Sequence, residues 1–160
     1  MLPIQEKIFQ LDELKEQVAK WKSLGEKIVF TNGCFDLIHR GHLDYLSKAR
    51  SLGDRLVLGL NSDESVKRLK GSERPINDQL SRAELLASFY FVDAVVLFGE
   101  DTPADLISGL IPNVLVKGGD YIVEDIVGYD TVVQAGGEVL TIPFLEGFSS
   151  TNLIERIKKL

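Results

Sequence analysis

The sequence has few of the features that mark secreted, membrane-spanning or disulfide-rich proteins. Of its 160 residues only Cys34 is a cysteine, so neither an intrachain disulfide nor a cysteine-based zinc cluster can form. This cysteine usage is typical of a reducing compartment. No apolar run approaches the roughly 20 residues that span a bilayer, and the start of the chain lacks the apolar stretch of a secretory signal. The sequence therefore predicts a cytoplasmic protein with no membrane partner.

The charge balance argues against a further class of partner. The formal net charge is −6 at pH 7, whereas nucleic-acid-binding domains usually carry a basic surface. We therefore expect no nucleic-acid partner. An anionic small molecule stays compatible with an acidic chain, because a local cationic patch can act inside it. Segment 67–74 is such a patch, with four basic residues and one acidic residue. The alternative interpretation is a solvated helix end followed by a basic loop.

Hydrophobic spacing predicts an alternation of strands and helices. Short runs rich in Val, Ile and Leu predict five strands, at 27–31, 56–60, 94–98, 114–116 and 139–142. Apolar spacing predicts helices over 9–24, 43–53, 102–110 and 123–135. Capping signals predict two further helices, one beginning at a capping box over 81–84 and one beginning after Ser149 or Ser150. Such alternation implies an α/β fold, a Rossmann-like open parallel sheet with helices on both faces. The polar stretch 70–80 predicts a mobile loop.

The length suits one compact domain. Within it we expect a main body over residues 27–160, preceded by an N-terminal helical extension over residues 1–26. The helix at 9–24 has two interpretations. It packs into the core of its own chain, or its exposed face contacts a second copy of the chain, and the second interpretation predicts a homodimer.

Polar residues follow four of the predicted strands where each strand ends. They occupy 31–42, 61–63, 117–121 and 146–151. In an open parallel sheet, ligands bind beyond the carboxyl ends of the strands. The sequence therefore predicts one binding site built from four distant segments.

The first of these segments holds both histidines of the chain, His39 and His42, three residues apart at a predicted helix start. Residues at this spacing share a helix face, and a helix N-terminus attracts phosphate through its free amide groups. Imidazole donors suit phosphate oxygens in a transition state, and Gly41 allows close approach of a ligand. Three alternatives are less favoured: a metal site that includes Asp36, a purely structural histidine pair, and a nucleophilic Cys34.

No G-x-G-x-x-G fingerprint follows the first strand and no Walker A loop is present, which weakens dinucleotide and ATPase interpretations. By contrast, G-C-F-D-L-I-H-R-G-H and the later E-G-F-S-S-T-N-L-I resemble the two signatures of the HxGH nucleotidyltransferases, in their cytidylyltransferase-like branch. This resemblance covers nearly the whole chain from Lys27. The strings N-S-D-E-S-V-K-R-L-K-G, R-P-I, E-D-T-P-A-D-L-I, V-K-G-G-D-Y and I-V-G are further similar to adenylyltransferases of ADP-heptose synthesis.

The resemblance implies transfer of AMP from ATP to a sugar 1-phosphate, D-glycero-β-D-manno-heptose 1-phosphate, with Mg²⁺ accompanying ATP. The product, ADP-heptose, feeds lipopolysaccharide assembly. The implied catalytic residues are His39, His42, Lys70 and Ser150. The implied nucleotide-binding residues are Asn32, Gly33, Cys34, Phe35, His39, His42, Arg82, Lys117, Gly118, Asp120, Ser150 and Thr151. Lys70 and Arg74 are implied contacts of the substrate phosphate, and Asp36 meets either the metal ion or only its own loop.

One departure bears on the choice of reaction. Glycerol-phosphate cytidylyltransferases have an arginine before the second signature, where this chain has Phe144. This loss counts against cytidylyl transfer to an alcohol phosphate such as glycerol 3-phosphate, which stays the alternative reaction. A second alternative is a nucleotide-binding module without catalysis. The residues themselves do not determine the base, because backbone groups can recognise adenine and cytosine alike.

Overall fold

The computed structural model describes residues 3–160, which form a parallel sheet covered by helices on both faces. The strands are β1 Ile8–Phe9, β2 Ile28–Gly33, β3 Arg55–Asn61, β4 Ala94–Phe98, β5 Val114–Gly118 and β6 Glu138–Ile142. Their order is β1-β4-β3-β2-β5-β6, and every neighbouring pair is parallel. This confirms the α/β prediction, with six strands in place of five. The added edge strand β1 has two residues, too few for a hydrophobic pattern to reveal.

Seven α-helices within residues 3–160 connect and cover the strands. They are α1 Leu11–Ser23, α2 Arg40–Arg50, α3 Asp63–Lys70, α4 Gln79–Ala87, α5 Ala104–Leu110, α6 Tyr129–Gln134 and α7 Ser150–Ile157, with short 3-10 turns at Ile4–Lys7 and Val123–Asp125. One core lies between the sheet and helices α2 and α4, and the other lies between the sheet and helices α1, α5 and α6. No helix among residues 3–160 combines the length and apolarity needed to cross a bilayer.

The N-terminal helix packs into the core of its own chain. On α1, Leu14, Val18 and Trp21 are buried against the α5 side of the sheet. The Lys22 Nζ donates to the carbonyl oxygen of Leu110 at 3.0 Å, tying the end of α1 to the end of α5. The apolar face of α1 thus serves packing. Residues 1 and 2 of the predicted extension lie outside the described part of the chain.

Among the helix predictions that were wrong in their bounds, two have a clear local reason. Helix α4 begins at Gln79 because the Asp78 carboxylate accepts from the N–H groups of Leu80 and Ser81, both at 3.0 Å, so the predicted capping box at 81–84 does not form the helix start. The helix predicted over 123–135 is instead a 3-10 turn followed by α6. Gly128 separates them with a φ of +92°, a conformation that interrupts an α-helix.

The sheet topology determines where a ligand can bind. From β2 the chain builds outward through β3 and β4 on one side, and through β5 and β6 on the other. The strand order therefore reverses between β2 and β5, and their carboxyl ends flank an open crevice. The segments after both strands, 31–42 and 117–121, are among those predicted to meet.

Candidate active site

Three adjoining cavities lie at this crevice. The central cavity, about 210 Å³, is lined by residues of the 32–36 segment together with His42, Lys70, Arg74, Lys117, Phe144 and Ser150. The helix cavity, about 260 Å³, shares His42, Lys70, Phe144 and Ser150 with it and adds His39, Phe148 and Thr151. The side cavity, about 340 Å³, shares Asn32, Gly33, Cys34, Lys117 and Tyr121 with the central one. The four predicted polar segments therefore do come together at one edge.

The two histidines form a stacked pair at the start of α2. Their ring centroids lie 3.8 Å apart, with 23° between the ring planes. His39 is the N-cap of the helix, and its Nδ1 accepts from the Gly41 N–H at 3.1 Å. In a neutral ring this bond leaves the proton on Nε2, which can donate to a ligand. A Cβ at Gly41 would lie 3.0 Å from the His39 ring, so this glycine makes room for the cap rather than for a ligand.

Burial favours the neutral form of both imidazole rings. Desolvation, followed by the nearby His39 and Lys70, lowers the pKa of His42 to about 4, and burial also lowers the pKa of His39. The His42 Nδ1 is buried with no hydrogen-bond partner among residues 3–160. A buried polar atom left unpaired costs free energy, so this nitrogen favours a ligand group beside it. The residues alone left the protonation state open, and the structure favours neutral donors.

Asp36 anchors the loop over residues 71–78. Its buried carboxylate accepts from the Arg74 Nε at 2.6 Å, the Ile76 N–H at 2.8 Å and the Asn77 N–H at 2.9 Å. Burial alone would raise its pKa, yet these hydrogen bonds together lower the pKa of Asp36. The structure shows the loop contact implied for Asp36, and its role as a metal ligand stays a prediction. No cluster of three or more His, Cys, Asp or Glu side chains able to hold a metal occurs among residues 3–160.

Arg82 lies beneath the site instead of in it. Its fully buried guanidinium donates to the carbonyl oxygens of Cys34 at 2.6 Å, Asn61 at 2.8 Å and Asn77 at 3.0 Å, and to the Asp63 carboxylate at 2.7 Å. It lines none of the three cavities. The predicted nucleotide contact of Arg82 stays a prediction, because every hydrogen bond described for this side chain goes to the protein. The side chain instead joins the ends of β2 and β3 to the 71–78 loop and to the start of α3.

Basic side chains surround the central cavity. Lys70 ends α3 and is exposed, and no carboxylate of the described chain lies within 4.0 Å of its Nζ. Lys117 is half-buried and likewise has no carboxylate of the described chain within 4.0 Å of its Nζ. This Nζ lies 5.8 Å from the centroid of the Tyr121 ring, and burial lowers the pKa of Lys117. Arg74 pairs with Asp36 through Nε, while its Nη2 is buried without a partner among residues 3–160. The cavity is therefore suited to an anion.

The segment after β2 supplies backbone to two cavities. Phe35 has a φ of 45°, in the left-handed region that non-glycine residues seldom adopt, and its ring meets His42 edge-on with centroids 5.3 Å apart. A Cβ at Gly33 would lie 3.0 Å from that ring. Desolvation raises the pKa of the Cys34 thiol, which makes it a poor nucleophile. The structure thus favours the interpretation of Cys34 as a small residue in a tight loop.

The entrance to α7 faces the same cavities. The Ser149 Oγ accepts from the Asn152 N–H at 3.0 Å as the helix cap, which settles which serine caps the helix. Ser150, its Oγ donating to the Leu37 carbonyl oxygen at 3.1 Å, lines the central and helix cavities, and Thr151 lines the helix cavity. The second signature, which contains Ser150 and Thr151, therefore lines the same cavities as the first, which contains His39 and His42.

The loop after β5 divides its residues between the site and solvent. Gly118 lines the central cavity, and a Cβ there would lie 2.5 Å from the Phe144 ring, so glycine is required for close packing. Asp120, predicted as a nucleotide contact, is exposed and lines none of the three cavities. Sequence reasoning did not assign Phe148 and Tyr121 to the site. Both lie within the polar segments 117–121 and 146–151 that it did identify, but an aromatic residue at such a position is equally compatible with a place in the core.

The fold and these cavities define a nucleotidyltransferase domain. Residues 30–156 match the cytidylyltransferase-like family model, and the chain belongs to the cytidylyltransferase-like family.

Relatives and solved structures agree with this assignment. The bifunctional protein HldE of Nitrobacter hamburgensis is 54% identical over 156 residues, which cover 97% of this chain and 32% of that protein. HldE of Geobacter sulfurreducens is 54% identical over 153 residues, which cover 96% and 31%. The chain thus spans about a third of the length of these relatives.

Two solved structures share the architecture. The lipopolysaccharide core biosynthesis protein of Thermoplasma volcanium superimposes with a TM-score of 0.62 at 28% identity, covering 76% of this chain and 98% of that one. Pantoate-β-alanine ligase of Francisella tularensis, solved with β-γ ATP and β-alanine, gives a TM-score of 0.60 at 14% identity, covering 96% and 78%. The second likeness is one of fold alone.

Proposed function

We propose that this chain transfers AMP from ATP to D-glycero-β-D-manno-heptose 1-phosphate, forming ADP-heptose and pyrophosphate. The observation that carries the proposal is the stacked pair His39 and His42 at a helix start, where burial favours the neutral rings. The pair borders a cavity lined by Lys70 and Lys117, which have no carboxylate partner among residues 3–160. The motifs similar to adenylyltransferases of ADP-heptose synthesis support the choice of substrates. The Thermoplasma neighbour, a lipopolysaccharide core biosynthesis protein, is consistent with it.

The chemistry needs alignment and charge neutralisation more than proton transfer. An oxygen of the sugar phosphate attacks the α-phosphorus of ATP, a new P–O bond forms, and the bond to pyrophosphate breaks in line. The attacking phosphate is largely ionised at neutral pH, since its second pKa is about 6, so no general base is required. Two anions must nevertheless approach each other. Preorganised donors and cations around the reacting phosphorus therefore supply most of the rate.

The proposed roles follow from position. The Nε2–H of His39 and the ring of His42 donate to phosphate oxygens as charge develops, and Lys70 with Arg74 neutralises the phosphates from the loop side. The backbone of Asn32, Gly33 and Cys34 supports the nucleotide at the end of β2.

From the first turn of α7, Thr151 donates its hydroxyl group, and Ser150 donates once its O–H turns away from the Leu37 carbonyl oxygen. Without a cluster of protein ligands among residues 3–160, a Mg²⁺ ion brought by ATP would be held by the phosphate oxygens. When bound it supplies further charge neutralisation.

Phe144 bears on the alternative reaction. Its ring lies 61% exposed on the wall of the central and helix cavities, where a glycerol-phosphate cytidylyltransferase would present a guanidinium. An aromatic wall can stack on a base but cannot pair with an anion. Cytidylyl transfer to glycerol 3-phosphate is therefore less favoured. The domain division at residue 27, the homodimer and the cytoplasmic location remain predictions.

Pyrophosphate release tests the proposal directly. The purified chain is assayed with ATP or CTP, each alone, with D-glycero-β-D-manno-heptose 1-phosphate, and with glycerol 3-phosphate. We expect release only with ATP and the heptose phosphate together, and loss of that release in His42→Ala. Release with CTP and glycerol 3-phosphate would replace the proposed reaction by the cytidylyl alternative. Tight ATP binding with no release under any condition would favour a binding module.

A further inference from the structure

The side cavity is the largest of the three cavities at the crevice, at about 340 Å³, and the roles proposed above leave it without a ligand. Its size lies within the range of about 300–1,000 Å³ that is common for small-molecule sites. It opens toward the central cavity along the shared residues Asn32, Cys34 and Lys117. A molecule in the side cavity is thus adjacent to whatever occupies the central one.

Four of the polar side chains that line this cavity are free to bind a ligand within the described chain. Asn32, Thr102, Tyr121 and Asp125 line it, and no hydrogen bond within residues 3–160 uses their side chains. Leu69, among others, gives it an apolar floor. A carboxylate, an amide and hydroxyl groups above an apolar floor match a ligand with several hydroxyl groups and a hydrocarbon face, which is the surface of a sugar.

Its charge makes the side cavity a poor place for a triphosphate. Two acidic side chains, Asp101 and Asp125, line it, against one basic side chain, Lys117. Asp101 pairs with Arg68 at 2.9 Å, so Asp125 and Lys117 leave this cavity with no excess of positive charge. The central cavity has the opposite balance: Lys70, Arg74 and Lys117 line it, and its one carboxylate is already bonded to Arg74. A triphosphate is therefore favoured in the central and helix cavities, next to the histidines.

Lys117 stands between the two environments. It lines both cavities, and its ammonium group has no carboxylate within 4.0 Å in the described chain. A single phosphate held there would face the side of the central cavity that His42 lines. A sugar 1-phosphate has this shape, one anionic end and one polyhydroxylated end.

We propose that the side cavity binds the sugar of the acceptor, with Asp125 and Thr102 bonding its hydroxyl groups and Lys117 holding its phosphate against the nucleotide. This inference rests on the proposed function for its substrate class. It reassigns Lys117 from the nucleotide to the acceptor. It also makes Asp125, on the short turn after β5, a specificity residue.

The test compares two neighbouring carboxylates. In Asp125→Ala we expect the KM for D-glycero-β-D-manno-heptose 1-phosphate to rise about tenfold, as for the loss of one hydrogen bond to a charged group, with the KM for ATP unchanged within twofold. Glu124→Ala is the matched control, because Glu124 lies on the same exposed turn and lines none of the three cavities. It should leave both constants unchanged. An unchanged acceptor KM in Asp125→Ala, or an equal rise in Glu124→Ala, would overturn the assignment.

A binding measurement separates this inference from the proposed reaction. ¹⁵N-labelled protein with a non-hydrolysable ATP analogue is titrated with the heptose phosphate, and amide shifts are followed at Thr102, Asp125 and Thr151. Shifts at Thr102 and Asp125 support the side cavity even if no pyrophosphate is ever released, in which case only the reaction is wrong. Amide shifts confined to Thr151 would show that the sugar binds outside the side cavity. No shifts at saturating heptose phosphate would show that it does not bind, and either outcome would overturn the inference.

Discussion

The site has a floor and a rim that use similar side chains in different ways. The floor, Asp36 and Arg82, is buried, and each side chain makes several hydrogen bonds to loop backbone. The rim, Lys70, Lys117 and Phe144, lines the cavities, and its two lysines have no ion-pair partner in the described chain. Charge type alone therefore does not separate a binding residue from a scaffold residue. The number of partners that a side chain already has within the protein does.

This difference predicts which property each change disturbs. Removing a floor residue leaves buried carbonyl or N–H groups unpaired, so folding should suffer first. Removing a rim residue leaves only solvent-facing groups behind, so folding should be kept while turnover falls. The substitutions below test the division, from the largest expected effect to the smallest.

Arg82→Met should produce the largest loss of stability. It removes four hydrogen bonds from a fully buried guanidinium and leaves the Asp63 carboxylate without its partner, which costs about 3–5 kcal/mol in the free energy of unfolding. Urea denaturation measures this loss. Arg82→Lys keeps the charge but not the planar fork, so its free energy of unfolding should lie between those of the parent and of Arg82→Met. A loss under about 1 kcal/mol in Arg82→Met would show that the floor is not a scaffold, since that is the size of one ordinary hydrogen bond.

His42→Ala should lower kcat about 10²- to 10³-fold, like the loss of one preorganised oxyanion donor, and His39→Ala should act similarly. Because the rings stack at 3.8 Å, the double variant should lose much less than the product of the two single effects. Steady-state pyrophosphate release measures all three variants. Leu43→Ala, at an exposed position next to His42, is the control for damage to α2. Near-normal turnover in His42→Ala would remove the pair from the mechanism.

Lys70→Ala should lower kcat about tenfold or more and raise the KM for ATP by less, because neutralisation of charge is needed most in the transition state. Lys67→Ala is the matched control, since Lys67 lies one turn earlier on α3 and pairs with Glu64 at 2.7 Å. It should leave both constants unchanged. Equal losses in the two variants would indicate a general electrostatic effect of the basic segment and not a contact of Lys70.

The smallest expected effect is on how the stability of the fold depends on pH. The native pKa of His42, about 4, lies below its ordinary 6.5, so the unfolded chain takes up a proton first as the pH falls. Stability should therefore decline from about pH 6.5 to about pH 4, whereas the lowered pKa of Asp36 acts only below its ordinary 3.8. Unfolding curves of the parent and of His42→Gln at several pH values measure this. The decline should be shallower in His42→Gln, and identical slopes would contradict a neutral buried imidazole.

The sequence allowed much of this to be predicted because its strongest signals are local. Val- and Ile-rich runs indicated β2 to β6, since a strand buried on both faces must be apolar along its length. The spacing of His39 and His42 at a helix start needed no tertiary information either. Where local signals conflict, prediction failed: Asp78 and Ser81 are both good helix caps, and only the structure shows that Asp78 is the one used.

What the sequence by itself determined was the parallel α/β fold, the edge of the sheet that holds the site, and the segments that meet there. The tertiary structure decided which polar residues face the ligand. Asp36 and Arg82 were predicted as site residues, yet both side chains point inward and form hydrogen bonds with backbone groups of distant segments of the chain. Burial and hydrogen-bond partners depend on how the whole chain packs, and the type of a residue does not determine them. The side cavity likewise exists only where β2, β5 and the turn at Val123–Asp125 come together.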